Sequence, residues 1–342
     1  MTISKKRFLT CIAAASIPLF FACSDDKPTS PASDNNDTVS SSSDVLPVSS
    51  AILPDQSSSS IEGTVVIESS SSEEQQAFES SSSEEIVPES SSARFREPTE
   101  EEIAQERIFT ANSATTEFQD LPSVYKSLDP TDRVAFVIRH AQREKSTGVE
   151  SQLTEKGIEQ SKTLGTYLVS EENFSYGSTG FVRTRATAQY ISEGRGQEFP
   201  EPIVLPELVA STYVASSEKF EELKSAAGYD DEAFMYSQWA FDGDFTEAFN
   251  DFEKTGVQII TQAILPRMST ENRVNIFISH DMFIGPLIAF CTNKEMKILR
   301  KHARQTEGCT NCTWISYLQG IAIVVKADGT RKYIPVSGNM MK

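Results

Sequence analysis

The chain has 342 residues, 38% of them hydrophobic, enough for one large folded domain plus a stretch that packs nothing. Its formal net charge is -18, from 49 acidic and 31 basic residues, a balance that argues against nucleic acid as substrate. Much of that acidity lies in serine blocks before residue 93, where a charge run is a solvated segment rather than a binding surface.

Residues 1–22 read as a signal peptide, with Lys5, Lys6 and Arg7 ahead of an apolar stretch that is short for a transmembrane helix. The end of that stretch resembles the lipobox of bacterial lipoproteins. The resemblance implies that Cys23 is acylated and becomes the mature N-terminus, and Ser24 after it implies sorting to the outer membrane rather than retention in the inner one. Phe20 and Phe21 depart from the usual leucine and small residue, and an ordinary signal peptide with an incidental Cys23 is the plain alternative. Residues 23–99, which include "ESSSSEEQQAFESSSSEEIVPESSS", hold too little apolar surface to offset their ordering entropy. They read as a disordered tether with a root-mean-square span of about 45 Å.

From about Glu100 to residue 342, apolar runs alternate with helical patterns, which predicts a three-layer α/β/α domain with a mostly parallel central sheet. "RVAFVIRH" reads as a buried strand ending at His140. "LTEKGIEQSKTLGTYLVSE" reads as a helix capped by Thr154, with Ile158, Ser161, Leu164, Gly165 and Leu168 on one face. A strand over 174–178 leads into the helix "FVRTRATAQYISEG". A strand over 202–205 precedes helical segments through Pro266, and "RVNIFISHD" repeats the first strand's logic and ends at His280. "TWISYLQGIAIVVKADGTRKYIPV" reads as a strand pair around Asp328–Gly329.

Two histidines and Arg183 thus stand just beyond strand ends, where open α/β sheets bind ligands, and His140 is flanked by Arg139 and Arg143. Guanidinium groups stay charged and grip two phosphate oxygens at once. An unprotonated imidazole nitrogen can attack phosphorus. The cluster therefore points to phosphoryl transfer.

"RHAQR", "LTEKG", "VRTRATA" and "SHD", in this order, resemble the motifs of the histidine phosphatase superfamily, the phosphoglycerate mutase-like fold. The resemblance implies that His140 is the phosphorylated nucleophile, that Arg139, Arg143 and Arg183 clamp the phosphate, and that His280 is the second pocket histidine. Arg185 points elsewhere on its helix and is taken as supporting. No metal and no cofactor is implied. Ala141 replaces the usual glycine after the histidine, as in some envelope members, and the RHA form is similar to envelope heptose-phosphate phosphatases.

For the general acid the resemblance offers Asp281, directly after the second histidine as in the acid-phosphatase branch. Glu207 is the alternative, because Ala210 occupies the position at which mutase-like members carry a glutamate. The implied activity is a metal-independent phosphomonoesterase for a small phosphorylated substrate, held in the cell envelope by a lipid anchor and facing the periplasm or the surface. The rival is a phosphate-binding pseudophosphatase of the same fold.

Three features stay outside this scheme. Cys291, Cys309 and Cys312 leave room for one disulfide, while "GCTNC" supplies no fourth zinc ligand and lacks the strand-to-helix context of a redox pair. His302 reads as part of a solvated basic face. The aromatic run through Phe245, Phe249 and Phe252 reads as buried helix faces, with a cap over the pocket as the alternative.

Overall fold

The computed structural model describes residues 95–227, 232–298 and 314–339, all within one compact unit. The proposed leader, anchor and tether lie outside the described residues up to residue 94, as do His302, Cys309 and Cys312; the last five residues of the expected tether instead join the domain, with Phe95 packed against its core and Thr99 capping the helix Glu100–Asn112. Among the described residues no helix is long and apolar enough to cross a membrane.

Among the described residues seven strands form one sheet. Their spatial order is β1 (Gln119–Asp120), β7 (Arg331–Ser337), β6 (Gln319–Val325), β2 (Arg133–Arg139), β5 (Val274–Ser279), β3 (Phe174–Ser178) and β4 (Ile203–Val204). β2, β5, β3 and β4 run parallel, whereas β6 is antiparallel to β2 and makes the expected hairpin with β7. Gly329 takes φ 83° in the turn, a conformation glycine adopts without steric cost.

The central strands are buried on both faces, which is why they read as continuous apolar runs rather than alternating ones. Val134, Phe136 and Ile138 of β2 pack on one side with α2 (Leu121–Lys126), α3 (Glu155–Tyr167) and α4 (Val182–Gly194). Ala135 and Val137 face the other, with α1 (Glu100–Asn112), α5 (Ser217–Ala227), α6 (Glu232–Asp242), α7 (Phe252–Gln258) and α8 (Asp281–Cys291). The three-layer architecture expected from the sequence is the one the chain adopts.

Thr154 caps α3, its hydroxyl accepting from Gly157 N at 3.1 Å. A side chain at Gly157 would meet the carbonyl oxygen of Gln142 at 2.0 Å, and one at Gly165 or Gly194 would strike the opposing backbone of the α3–α4 pair. These glycines let α3 sit directly on the loop after His140 and on the helix that carries Arg183.

The aromatic run departs from its helical reading. α6 stops at Asp242, Gly243 and Phe245 take positive φ, and α7 begins only at Phe252. The Asp-Gly-Asp sequence at 242–244 favours a turn over a helix. Phe249 is nonetheless core, stacked on Trp239 with centroids 4.9 Å apart, and Phe245 and Phe252 pack against that core partly buried. Among the described residues Cys291 is a free, fully buried thiol.

Candidate active site

Three adjacent parallel strands end nearly level, since Arg139 pairs with Ser279 and Ser178 with Ile278. The residues that follow, His140, His280 and Thr179, emerge side by side at about the 4.8 Å spacing of strands. His140 is pinned there by its backbone N–H, which donates to Ser279 O at 3.0 Å. The two imidazoles stand edge to face with centroids 5.5 Å apart.

α4 brings Arg183 to the same rim. It is 6% exposed, lies 4.4 Å from the Phe181 ring centroid, and donates to Gly148 O at 2.8 Å and to His280 Nδ1 at 3.3 Å. Among the described residues its Nε is buried without a hydrogen-bond partner. Arg139 donates to Ile315 O at 2.6 Å, rests over Tyr317 at 4.4 Å and pairs with Asp281 Oδ2 at 3.1 Å. Arg143 is held by the carbonyls of Glu144 and Ser146 at 2.7 and 2.6 Å. These groups line a cleft of about 250 Å³ whose remaining wall is mostly apolar, from Phe181, Val209, Ala210 and Met282.

Burial holds both histidines neutral. His140, 2% exposed, is pushed well below the usual imidazole range by burial first, then by His280, Arg139 and Arg183. His280 is pushed down to about 3 by burial and by Arg183, with Asp281 opposing. The Arg183 guanidinium itself is lowered to about 10, by burial and by the charges of Arg143 and Arg139. Cations kept this close repel one another, and an anion between them removes the repulsion.

Hydrogen bonds fix the tautomers. His140 Nδ1 lies 2.8 Å from Ala141 O, and a carbonyl only accepts, so the neutral ring carries its proton on Nδ1 and a lone pair on Nε2. His280 Nδ1 accepts from Arg183, so its proton is on Nε2 and goes to Thr179 Oγ1 at 2.9 Å. Thr179 passes its hydroxyl hydrogen to Thr184 Oγ1 at 3.2 Å, and Thr184 donates to Phe181 O at 2.8 Å.

The structure thus brings together Arg139, His140, Arg143, Arg183, His280 and Asp281. Glu207 is not with them: its carboxylate points to Arg267 at 3.7 Å, while Val209 and Ala210 take the cleft wall. Arg185 pairs with Glu201 at 2.8 Å on the surface. Ala141 sends its methyl into the core, fully buried, rather than into the cleft. Among the described residues no group of three or more His, Cys, Asp or Glu side chains stands together as a metal site would need.

Sequence reasoning missed Thr179, Thr187 and Trp314. Thr179 had a signal, since it follows a strand end as the two histidines do. Thr187 had one too, four residues after Arg183 on the same helix face. Trp314, whose indole N–H donates to Asp281 Oδ2 at 2.8 Å, had none, because the pair is 33 residues apart.

The family model described as the histidine phosphatase superfamily (branch 1) matches residues 135–323, more than half of the chain. Among solved structures, a phosphoglycerate mutase from Bacillus anthracis aligns at 17% identity over 61% of this chain and 94% of its own, with a TM-score of 0.38. A putative alpha-ribazole-5'-P phosphatase from Escherichia coli aligns at 15% identity over 61% and 100%, with a TM-score of 0.36. A mycobacterial glucosyl-3-phosphoglycerate phosphatase with inorganic phosphate aligns at 14% identity over 61% and 100%, also at 0.36. No curated protein matches the chain.

Proposed function

We propose that this chain, which belongs to the histidine phosphatase superfamily (branch 1), is a metal-independent phosphomonoesterase working through a phosphohistidine on His140. The observation that carries this reading is the committed tautomer of His140: its proton is held by Ala141 O, leaving the Nε2 lone pair for attack, in a cleft lined by three arginines.

Arg139, Arg143 and Arg183 take the non-bridging oxygens of the phosphoryl group. Nε2 of His140 attacks phosphorus in line, the P–O bond to the leaving group breaks, and the departing oxygen keeps the electron pair and takes a proton from Asp281. Water then attacks the phosphohistidine, Asp281 takes back a proton, and inorganic phosphate leaves with His140 neutral again. His280 holds its only proton toward Thr179, so donating to phosphate through Nδ1 requires a second proton, which a bound dianion promotes and the free pocket opposes.

The substrate class is a small phosphate ester such as a phosphorylated sugar, nucleotide, inositol phosphate or lipopolysaccharide-core group. The enzyme works in the cell envelope, anchored through Cys23 on the tether of residues 23–99, at the outer membrane. A second reading, a weak phosphate-binding pseudophosphatase, is favoured by one observation: the Asp281 carboxylate is ion-paired with Arg139, and Glu207 stands apart.

The test is hydrolysis of para-nitrophenyl phosphate between about pH 4 and 8 by the full chain and by His140→Ala, with alkaline quenching to trap phosphohistidine. Turnover and trapped phosphate that both vanish in the variant support the enzyme. Phosphate binding without turnover supports the pseudophosphatase.

A further inference from the structure

Asp281 Oδ2 receives two donors at once, the Arg139 guanidinium at 3.1 Å and the Trp314 indole N–H at 2.8 Å. Among the described residues no hydrogen bond is made by its other oxygen, Oδ1. The two donors differ in kind. Arg139 lines the cleft and is charged, so a phosphate dianion competes with Asp281 for it. Trp314 is not among the residues lining that cleft, so its indole N–H is out of the phosphate's way and stays with the carboxyl.

A neutral carboxylic acid has one carbonyl oxygen and one hydroxyl, and the carbonyl is the better acceptor. A donor fixed on Oδ2 therefore decides which oxygen carries the proton. We infer that Trp314 is a positioning residue for proton delivery: it holds Oδ2 of Asp281 as the accepting oxygen, so that the transferable proton sits on Oδ1. The inference rests on the phosphomonoesterase reading above. The same short segment serves both partners, because Ile315 O and the Tyr317 ring hold Arg139 while Trp314 holds Asp281.

The experiment compares kcat/KM for an alkyl phosphate, glycerol phosphate, with that for para-nitrophenyl phosphate, whose leaving group needs little protonation. It uses the full chain, Trp314→Phe, Trp314→His, Asp281→Asn and Trp314→Phe/Asp281→Asn. General acid catalysis is worth about 10²–10⁴-fold, so misplacing the acid is expected to cost about tenfold or more on the alkyl ester and about threefold or less on the aryl ester. The histidine variant, which keeps a ring N–H, regains part of the alkyl activity. The double variant is expected to be no slower on the alkyl ester than Asp281→Asn alone, since the inferred role of the indole runs through that carboxyl.

Equal losses on both esters, or losses that multiply in the double variant, overturn the role of Trp314 and leave the phosphomonoesterase intact. The ratio between the two esters is taken within each preparation, so partial misfolding of a variant cancels. A wild-type chain that hydrolyses neither ester overturns the parent reading and this one with it.

Discussion

Thr187 accepts the backbone N–H of Ala141 at 3.1 Å and donates its own hydroxyl to Arg183 O at 2.7 Å. One threonine thus joins the residue behind the proposed nucleophile to the helix turn that carries a proposed phosphate clamp. Thr187→Val keeps the shape and leaves a buried N–H unpaired, which costs about 1–3 kcal/mol. Denaturant unfolding is expected to show that loss, and Thr187→Ser, which restores the acceptor, is expected to recover most of it.

The neutral histidines make stability depend on pH. Between about 3, where folded His280 titrates, and 6.5, the ordinary imidazole value, the unfolded chain binds a proton that the folded chain refuses. Stability is therefore full above about pH 6.5 and falls as the pH drops toward 3. His140 acts in the same direction. From pH 7 to 5 a single such group accounts for about 2 kcal/mol. Urea midpoints at these two pH values are expected to lie closer together in His280→Gln than in the wild type.

Ala141→Gly restores the residue usual in the superfamily and is expected not to help. The methyl is fully buried in the core, away from the phosphate cleft. Its removal loses about 0.8 kcal/mol of burial and adds about 0.5–1 kcal/mol of backbone entropy cost. A lower melting temperature with an unchanged KM for para-nitrophenyl phosphate is the expected pair of results, and a lower KM would mean that the methyl does crowd the ligand.

The two candidate acids separate on one substrate. Asp281→Asn is expected to lower kcat on glycerol phosphate about 10²-fold or more. Glu207→Gln, at a residue whose carboxylate faces Arg267 outside the cleft, is expected to stay near wild type. The reverse result moves the acid to Glu207.

Much of this site was legible in the sequence because its geometry is that of strand ends. An apolar run followed at once by His140 or His280 places an imidazole at the rim of a parallel sheet, and the register of β2, β5 and β3 then makes the two neighbours. What could not be read depends on side-chain direction or on distant pairing. The sequence places Glu207 two or three residues early but does not say that it turns to Arg267, and nothing local marks Trp314 as a partner of Asp281. The spacing of Phe245, Phe249 and Phe252 matched a helix period, yet Asp-Gly-Asp turn chemistry just upstream prevailed over it.

The bare backbone seams around α3 divide the molecule into parts with different freedom to vary. At Gly157, Gly165 and Gly194 main chain lies against main chain, so even a methyl would force the α3 layer away from the loop behind His140 or from α4. The wall formed by Val209, Ala210 and Met282 has no such seam. In a lineage of such chains the anion-gripping half would be inherited as a block, while the opposite wall could change residue by residue and carry the chemistry to new esters.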